Sequence, residues 1–391
     1  MKNKKYILLG LIAILFGLFV IIKFEEKQRK KIVFDRSISD IDYASDFTLT
    51  TNSILIFDNK NLYFCDKDGS FTKVLNLKEK NVDVFFANNY AFLYDKDINK
   101  VYQYRDTGEY IATIPLKEEL YNVSYKNKEI IFHLKTKDRE DLKILKQDAS
   151  LSDLYSTENT ILAYDLYSVD EFSVSEIYKD AKGYKSLLYM KNKDDHKLED
   201  YSNEVILYVY RYKDKTIMAS DKSLYLYEKN KNLRSDIPNI SDIQVSDRSI
   251  YLLHSNIISR FNFSLEETEK IILSANLEKM FFVANSLYAY GPSDIGGELG
   301  SSKQFYTRLG TKVDKIDVSG LTVASLKDGK INLYKISNER SLGSDINDWW
   351  CKTFICRRIF KKFKWRFKYL GQISLCFGNY YNSSSLDKSS V

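Results

Sequence analysis

Proline is nearly missing from this chain of 391 residues, with three in all, and glycine is scarce at fifteen. That excludes collagen-like, proline-rich and glycine-rich linker architectures, whose backbones depend on those two residues. Histidine occurs only at His133, His196 and His254, and none has a second His or Cys at metal-ligand spacing, so no zinc-type centre is written locally. Four cysteines are too few for a disulfide framework in a chain this long, and Cys351, Cys356 and Cys376 crowd the C-terminal end, leaving Cys65 without a partner in the body. All three tryptophans, Trp349, Trp350 and Trp365, also sit in that end.

Excess positive charge is missing from the body as well. The formal charge is +6 overall, but residues 1–31 alone carry +6 and residues 349–370 carry +8 with no acid, which leaves −8 for everything else. A mildly acidic body lacks the broad basic surface of a nucleic-acid binder, so a nucleic-acid partner is set aside.

Aromatic residues are abundant: Tyr 30 and Phe 23 within a composition 44% hydrophobic and 29% charged. Such residues pack well on pleated, half-buried surfaces, which points to an all-β globular protein. The stretch "YAFLYDKDINKVYQYRDTGEYIATIPL" (90–116) alternates apolar and polar residues and breaks at DKDIN and RDTG, giving strand, turn, strand, turn, strand. The same unit recurs at 53–77, 216–240, 249–273 and 321–337, with short preceding strands such as "VDVFF" (82–86) and "VDKIDVS" (313–319). Four antiparallel strands per unit are the blade of a β-propeller. Eight units follow, at 41–80, 81–118, 119–158, 159–202, 203–238, 239–274, 275–311 and 312–340, placing the propeller domain at 30–340. The fourth is the least regular and the seventh carries an insertion, so seven blades is the alternative count. A β-sandwich or two stacked small β-domains is the alternative fold.

The last unit stops after its third strand, at "KINLYKIS", while "KKIVFD" (30–35) has no hairpin partner of its own. An exposed strand edge invites aggregation, so pairing of Ile32, Val33 and Phe34 with the segment near Ile331, Leu333 and Tyr334 is expected to close the ring.

Ahead of the domain, a short basic head (1–5) precedes "YILLGLIAILFGLFVII", and residues 6–23 are expected to form one transmembrane signal anchor, since no small-residue cleavage site follows. The lysine-rich head places the bulk of the chain outside the cell membrane as a single-pass protein. The basic aromatic tail, 341–391, supports two readings. It is an amphipathic membrane-surface helix with Cys356, Ile359, Phe360, Phe363, Phe367 and Leu370 on one stripe, or a segment foreign to the domain.

"YRDTGEYIATIPL" and "CDKDGSFTKVLNL" resemble the D-x-x-T/D-G-x-x-x-W unit of bacterial quinoprotein-like propellers. The departure is that Asp106, Thr107, Gly108 and Glu109 are followed by Tyr110, Ile111 and Ala112, with no blade-docking Trp. The layout is also similar to membrane-anchored propeller-like proteins of low-GC Gram-positive bacteria. The resemblance implies a fold and an address and carries no activity, cofactor or site residue.

No G-x-S-x-G elbow, H-E-x-x-H or phosphate loop is present. "DKDIN" (Asp95, Asp97, Asn99) and "DKDG" (66–69) are partly similar to calcium loops, but hairpin-turn chemistry accounts for both. "GPSDIGGELGSS" (291–302) reads as a surface insertion over one face of the ring. No catalytic, cofactor-binding or metal site is assigned, and an enzyme is the minority reading. The expected function is a membrane-anchored extracytoplasmic binding or scaffolding module of the cell envelope, holding a protein, peptide or glycan. The alternatives are an envelope hydrolase or lyase with acidic residues converging on the propeller channel, and a quinone- or metal-binding redox propeller.

Overall fold

The computed structural model describes residues 30–338 apart from 78–80, 182, 229–230, 247 and 311. The expected membrane segment (6–23) and the tail (341–391) lie outside the described residues. Among those described, no helix is long and apolar enough to cross a membrane.

The alternating pattern is realised as eight four-stranded antiparallel sheets, which settles the count at eight. Seven are formed by consecutive strands, at 46–76 (blade 1), 82–115 (blade 2), 119–157 (blade 3), 160–202 (blade 4), 206–236 (blade 5), 240–272 (blade 6) and 279–308 (blade 7). Blade 8 takes three strands from 315–338 and its fourth from the other end of the chain, Lys30–Ile38.

That N-terminal strand pairs antiparallel with Lys330–Asn338, with Ile32 opposite Ile336, Phe34 opposite Tyr334 and Ile38 opposite Ile331. A bulge between Phe34 and Arg36 shifts the register. Because side chains alternate faces along a strand, the extra residue turns the second half over. Ile32 therefore packs with Val283, Tyr288 and Ile295 of blade 7, while Ile38 packs with Phe47 and Ile54 of blade 1. Val33 and Phe34 remain exposed, so the apolar burial of this strand comes from two isoleucines, fewer than the sequence pattern implies.

One hydrophobic cluster fills each junction between blades, eight in all, rather than one central core. Aromatic pairs span many of these junctions. Phe64 meets Tyr104 between blades 1 and 2, Phe92 meets Phe132 edge-on at 5.6 Å between blades 2 and 3, and Tyr155 meets Tyr189 between blades 3 and 4. Tyr201 with Tyr225, Tyr212 with Phe263, and Tyr251 with Phe282 continue the series. The high Tyr and Phe content is thus used at the junctions, where edge-to-face pairs add to area burial.

Scarce glycine is offset by asparagine, whose short polar side chain tolerates positive φ. Asn59, Asn88, Asn99, Asn127, Asn203, Asn239, Asn256 and Asn285 all adopt it. Gly108 keeps a place of its own: at φ +81°, a Cβ there would lie 2.7 Å from the Lys73 side chain, whose Nζ donates to the Gly108 carbonyl at 2.6 Å.

The fourth unit, the least regular in sequence, has some of the longest strands, Glu171–Asp180 and Gly183–Asn192 among them, and two register shifts in its first strand pair, at Ile161/Ala163 and Leu166/Ser168. One expectation is corrected. The run 291–302 is no insertion over a face, because Asp294–Gly297 is the third strand of blade 7, between Ser286–Tyr290 and Phe305–Arg308. Its glycines serve close packing: a Cβ on Gly297 would come within 2.2 Å of the Phe305 ring and 2.7 Å of Tyr288.

Candidate interaction surface

The first strand of each sheet lies innermost, so its unpaired edge must find partners for its N–H groups. Three carboxylates on first strands supply them. Asp165 accepts the Arg211 N–H at 2.8 Å, Asp242 accepts the Met280 N–H at 2.7 Å, and Asp317 accepts the Leu49 N–H at 2.7 Å and the Thr48 hydroxyl at 2.8 Å. Each bond joins one blade to the next around the channel: 4 to 5, 6 to 7, and 8 to 1. Burial pushes the Asp165 carboxyl above its usual range against the pull of Lys126, and that of Asp242 likewise against the Met280 N–H and Lys279. These acids of the channel wall are therefore occupied in holding the ring together.

The residues that carried a weak calcium likeness are occupied in turns. Asp95 accepts the Asp97 N–H at 3.0 Å, and Asn99 bridges the Tyr94 hydroxyl and the Leu116 carbonyl. In DKDG, Asp68 accepts the Ser70 N–H and Gly69 donates to the Asp66 carbonyl. Cys65 is buried, and its burial, helped by Asp66 and Asp68, pushes the thiol up to about 12, so it packs as a neutral side chain.

Of the histidines, His254 bonds the Ser259 hydroxyl at 2.9 Å and His196 stacks near Tyr189. His133 is buried with its Nε2 at 2.8 Å from Glu140. A carboxylate only accepts, so Nε2 carries the proton. Burial pushes the His133 pKa below its usual 6.5 despite the opposing pull of Glu140. Burial acts upward on Glu140, but hydrogen bonds from Lys135, the Ile161 N–H and His133 outweigh it and hold that carboxyl low. The pair is thus a neutral imidazole on a carboxylate. Because the unfolded chain binds the proton more readily, stability falls as pH drops through 6.5 toward the lower folded value. Thermal melts between about pH 7 and about pH 5 should show that loss, with a shallower slope in His133→Asn; equal slopes would contradict it.

Sequence reasoning missed what lies above this pair. The first strands of blades 3, 4, 5 and 6 each carry a register shift near their start, at Leu120/Asn122, Ile161/Ala163, Ile206/Tyr208 and Ile240/Asp242. The first strands of blades 1, 2, 7 and 8 pair without one. A bulge leaves its extra residue unpaired and re-aims the side chain. Here the residue before the shift is buried each time, and the extra residues, Tyr121, Leu162 and Leu207, are 56%, 39% and 42% exposed; Ser241 is the exposed fourth. Equivalent positions on successive blades fall on one face of a propeller, so these residues form an apolar arc at the upper mouth of the channel, where the first strands begin.

Tyr121 is held in place: the Lys135 ammonium lies 3.6 Å over its ring, and His133 meets it edge-on at 4.9 Å. Lys135 is itself tied to Glu140 at 2.8 Å. A rigid exposed aromatic backed by a cation is the kind of anchor that carries binding energy at protein interfaces. Beyond the arc, between blades 6 and 7 on the same face, a cleft of about 530 Å³ is lined by Asn239, Ser241, Asn256, Asn276 and Lys279 among others. The available sequence signal was the doublet of apolar residues, Leu120–Tyr121, Ile161–Leu162 and Ile206–Leu207, which breaks the two-residue period.

No protein-family profile matches the chain, and no curated protein matches it by sequence. Solved structures do. BamB from Moraxella catarrhalis is similar over 79% of this chain and 99% of its own, at 9% identity and a TM-score of 0.53. A structure described as the eukaryotic initiation factor is similar over 80% of this chain and 97% of its own, at 10% identity and a TM-score of 0.50. Likeness at such identity shows the fold alone: the chain is an eight-bladed β-propeller, and its own N-terminal strand closes the ring.

Proposed function

We propose that this propeller is a membrane-anchored binding module of the cell envelope that holds a protein partner on its upper face. The observation that carries the reading is the arc of Tyr121, Leu162 and Leu207, three apolar side chains placed outward by a repeated bulge. Burial of such side chains against a partner supplies association energy, while the amide-rich cleft beside them suits the polar rim of an interface.

The path of the chain supports the membrane part of the reading. Lys30 lies opposite Asn338, so both ends of the described chain leave together, and they do so on the face opposite the arc. An apolar segment at 6–23 attached there would hold the lower face toward the bilayer and present the arc away from it.

The test is crosslinking in intact cells with a membrane-impermeant reagent. A defined protein partner is expected, and its yield should fall several-fold when Tyr121, Leu162 and Leu207 are all changed to Ser. Because these side chains are exposed, melting should shift little, by about 0.5 kcal/mol or less per site. Unchanged capture by the triple variant would sink the arc as the binding surface. Crosslinks that form only after the membrane is opened would place the body on the other side.

A further inference from the structure

The lower face carries a second concavity, a cleft of about 420 Å³ between blades 4 and 5. Its rim is made by turns: Asn192, Lys193 and Asp195 join the third and fourth strands of blade 4, and Asp214 joins the first two strands of blade 5. At its foot is Arg211, a cation only 4% exposed.

The hydrogen bonding of Arg211 is incomplete. One Nη donates to the Thr216 hydroxyl at 2.7 Å and the other to the Asn192 side-chain oxygen, both neutral acceptors that line the cleft. Its Nε is buried without a partner. The carboxylates that act on it, Glu171, Asp214 and Asp165, do so through space. A buried guanidinium without a carboxylate against it is costly, and an entering anion would relieve that cost by replacing Asn192 on the guanidinium.

An anion alone does not suit the lining, where the carboxylates of Glu171, Asp195, Asp214 and Glu228 outnumber the ammonium groups of Lys193 and Lys197 around the buried Arg211. Met190 and Tyr227 supply apolar lining. The volume lies within the range of small-molecule pockets.

We infer that this cleft binds a small zwitterion, an amino acid or the end of a short peptide, with its carboxylate on Arg211 and its ammonium toward Glu171 and Asp195. The site is separate from the arc and does not rest on the protein-binding reading. A charge-assisted bond at each end gives the selectivity: removal of either charge of the ligand loses one bond and leaves a site group unanswered.

Isothermal titration of the purified full chain tests this with four probes: L-leucine, the dipeptide Leu-Leu, N-acetyl-L-leucine and L-leucinamide. L-Leucine or Leu-Leu should bind, the stronger of the two showing whether the source is a free amino acid or a peptide end. N-acetyl-L-leucine and L-leucinamide, which each lack one charge, should bind about tenfold more weakly or worse. Arg211→Gln should abolish binding. Since that variant removes a buried group and could fail to fold, Asp195→Asn at the exposed rim is the second arm, expected to weaken the zwitterion several-fold with an unchanged melting temperature. Absence of heat from every probe at millimolar concentration would overturn the inference. So would equal affinity for the zwitterion and its one-charge analogues, or full affinity in Asp195→Asn.

Discussion

A chain that begins at Ser39, lacking the strand Lys30–Ile38, is expected to be unfolded or aggregated under conditions where a chain beginning at Lys30 melts cooperatively. The strand buries Ile32 and Ile38, each worth about 1.5–3 kcal/mol, so about 3–6 kcal/mol of apolar burial is lost. Its ion pair goes as well: Lys30 reaches Glu298 at 3.0 Å, and Glu298 is mostly buried with its other carboxylate oxygen already unpartnered. Loss of that lysine would strand a buried charge. The whole third strand of blade 8 would also present an open edge, a template for pairing with other chains. Against a domain stability of about 5–15 kcal/mol, this sum is large enough to remove the native state. Size-exclusion profiles and thermal melts of the two chains decide it, and coincident melting would mean that ring closure contributes nothing. The smaller change Ile32→Ala should cost about 2–5 kcal/mol and leave the chain monomeric.

The second large effect is expected from Phe132→Ala. Phe132 is fully buried, meets Phe92 edge-on, and sits in the cluster that joins blades 2 and 3. Phe-to-Ala changes in cores typically cost about 3–5 kcal/mol, because the cavity only partly collapses. A junction between two sheets resists collapse further, since each sheet is fixed by its own hydrogen bonds. Urea denaturation should show a lower midpoint with an unchanged slope. Phe92→Ala combined with Phe132→Ala should cost less than the sum of the two, with a coupling of about 0.5–1.5 kcal/mol for the ring pair. Strict additivity would show that the two rings do not stabilise the junction as a pair.

Local chemistry made much of this fold legible. Alternation in 90–116 and its relatives fixes side-chain direction along a strand, and Asn, Asp and Gly at the breaks favour tight turns, both within a few residues. Eight units could therefore be outlined, and the shortage of one strand in the last unit pointed to "KKIVFD" because an open edge is costly wherever it lies. Side-chain contacts between distant segments are not written in either segment alone. The glycines at 291–302 look like a flexible loop until Phe305 and Tyr288 are brought against Gly297, a contact set by the blade and invisible in the run itself. Val33 and Phe34 look buried by pattern yet stay exposed, while the bulge after Phe34 turns Ile38 toward blade 1. The same holds for function. Tyr121, Leu162 and Leu207 are ordinary core-type residues in sequence and become an exposed arc only because one extra residue in each first strand faces them outward. Asp165, Asp242 and Asp317 look like any other acids in the sequence, and only the neighbouring blade gives each an N–H group to accept. A residue's intrinsic preferences are short-range and can be read along the chain, whereas its exposure and its hydrogen-bond partners depend on which surface the closed ring places against it.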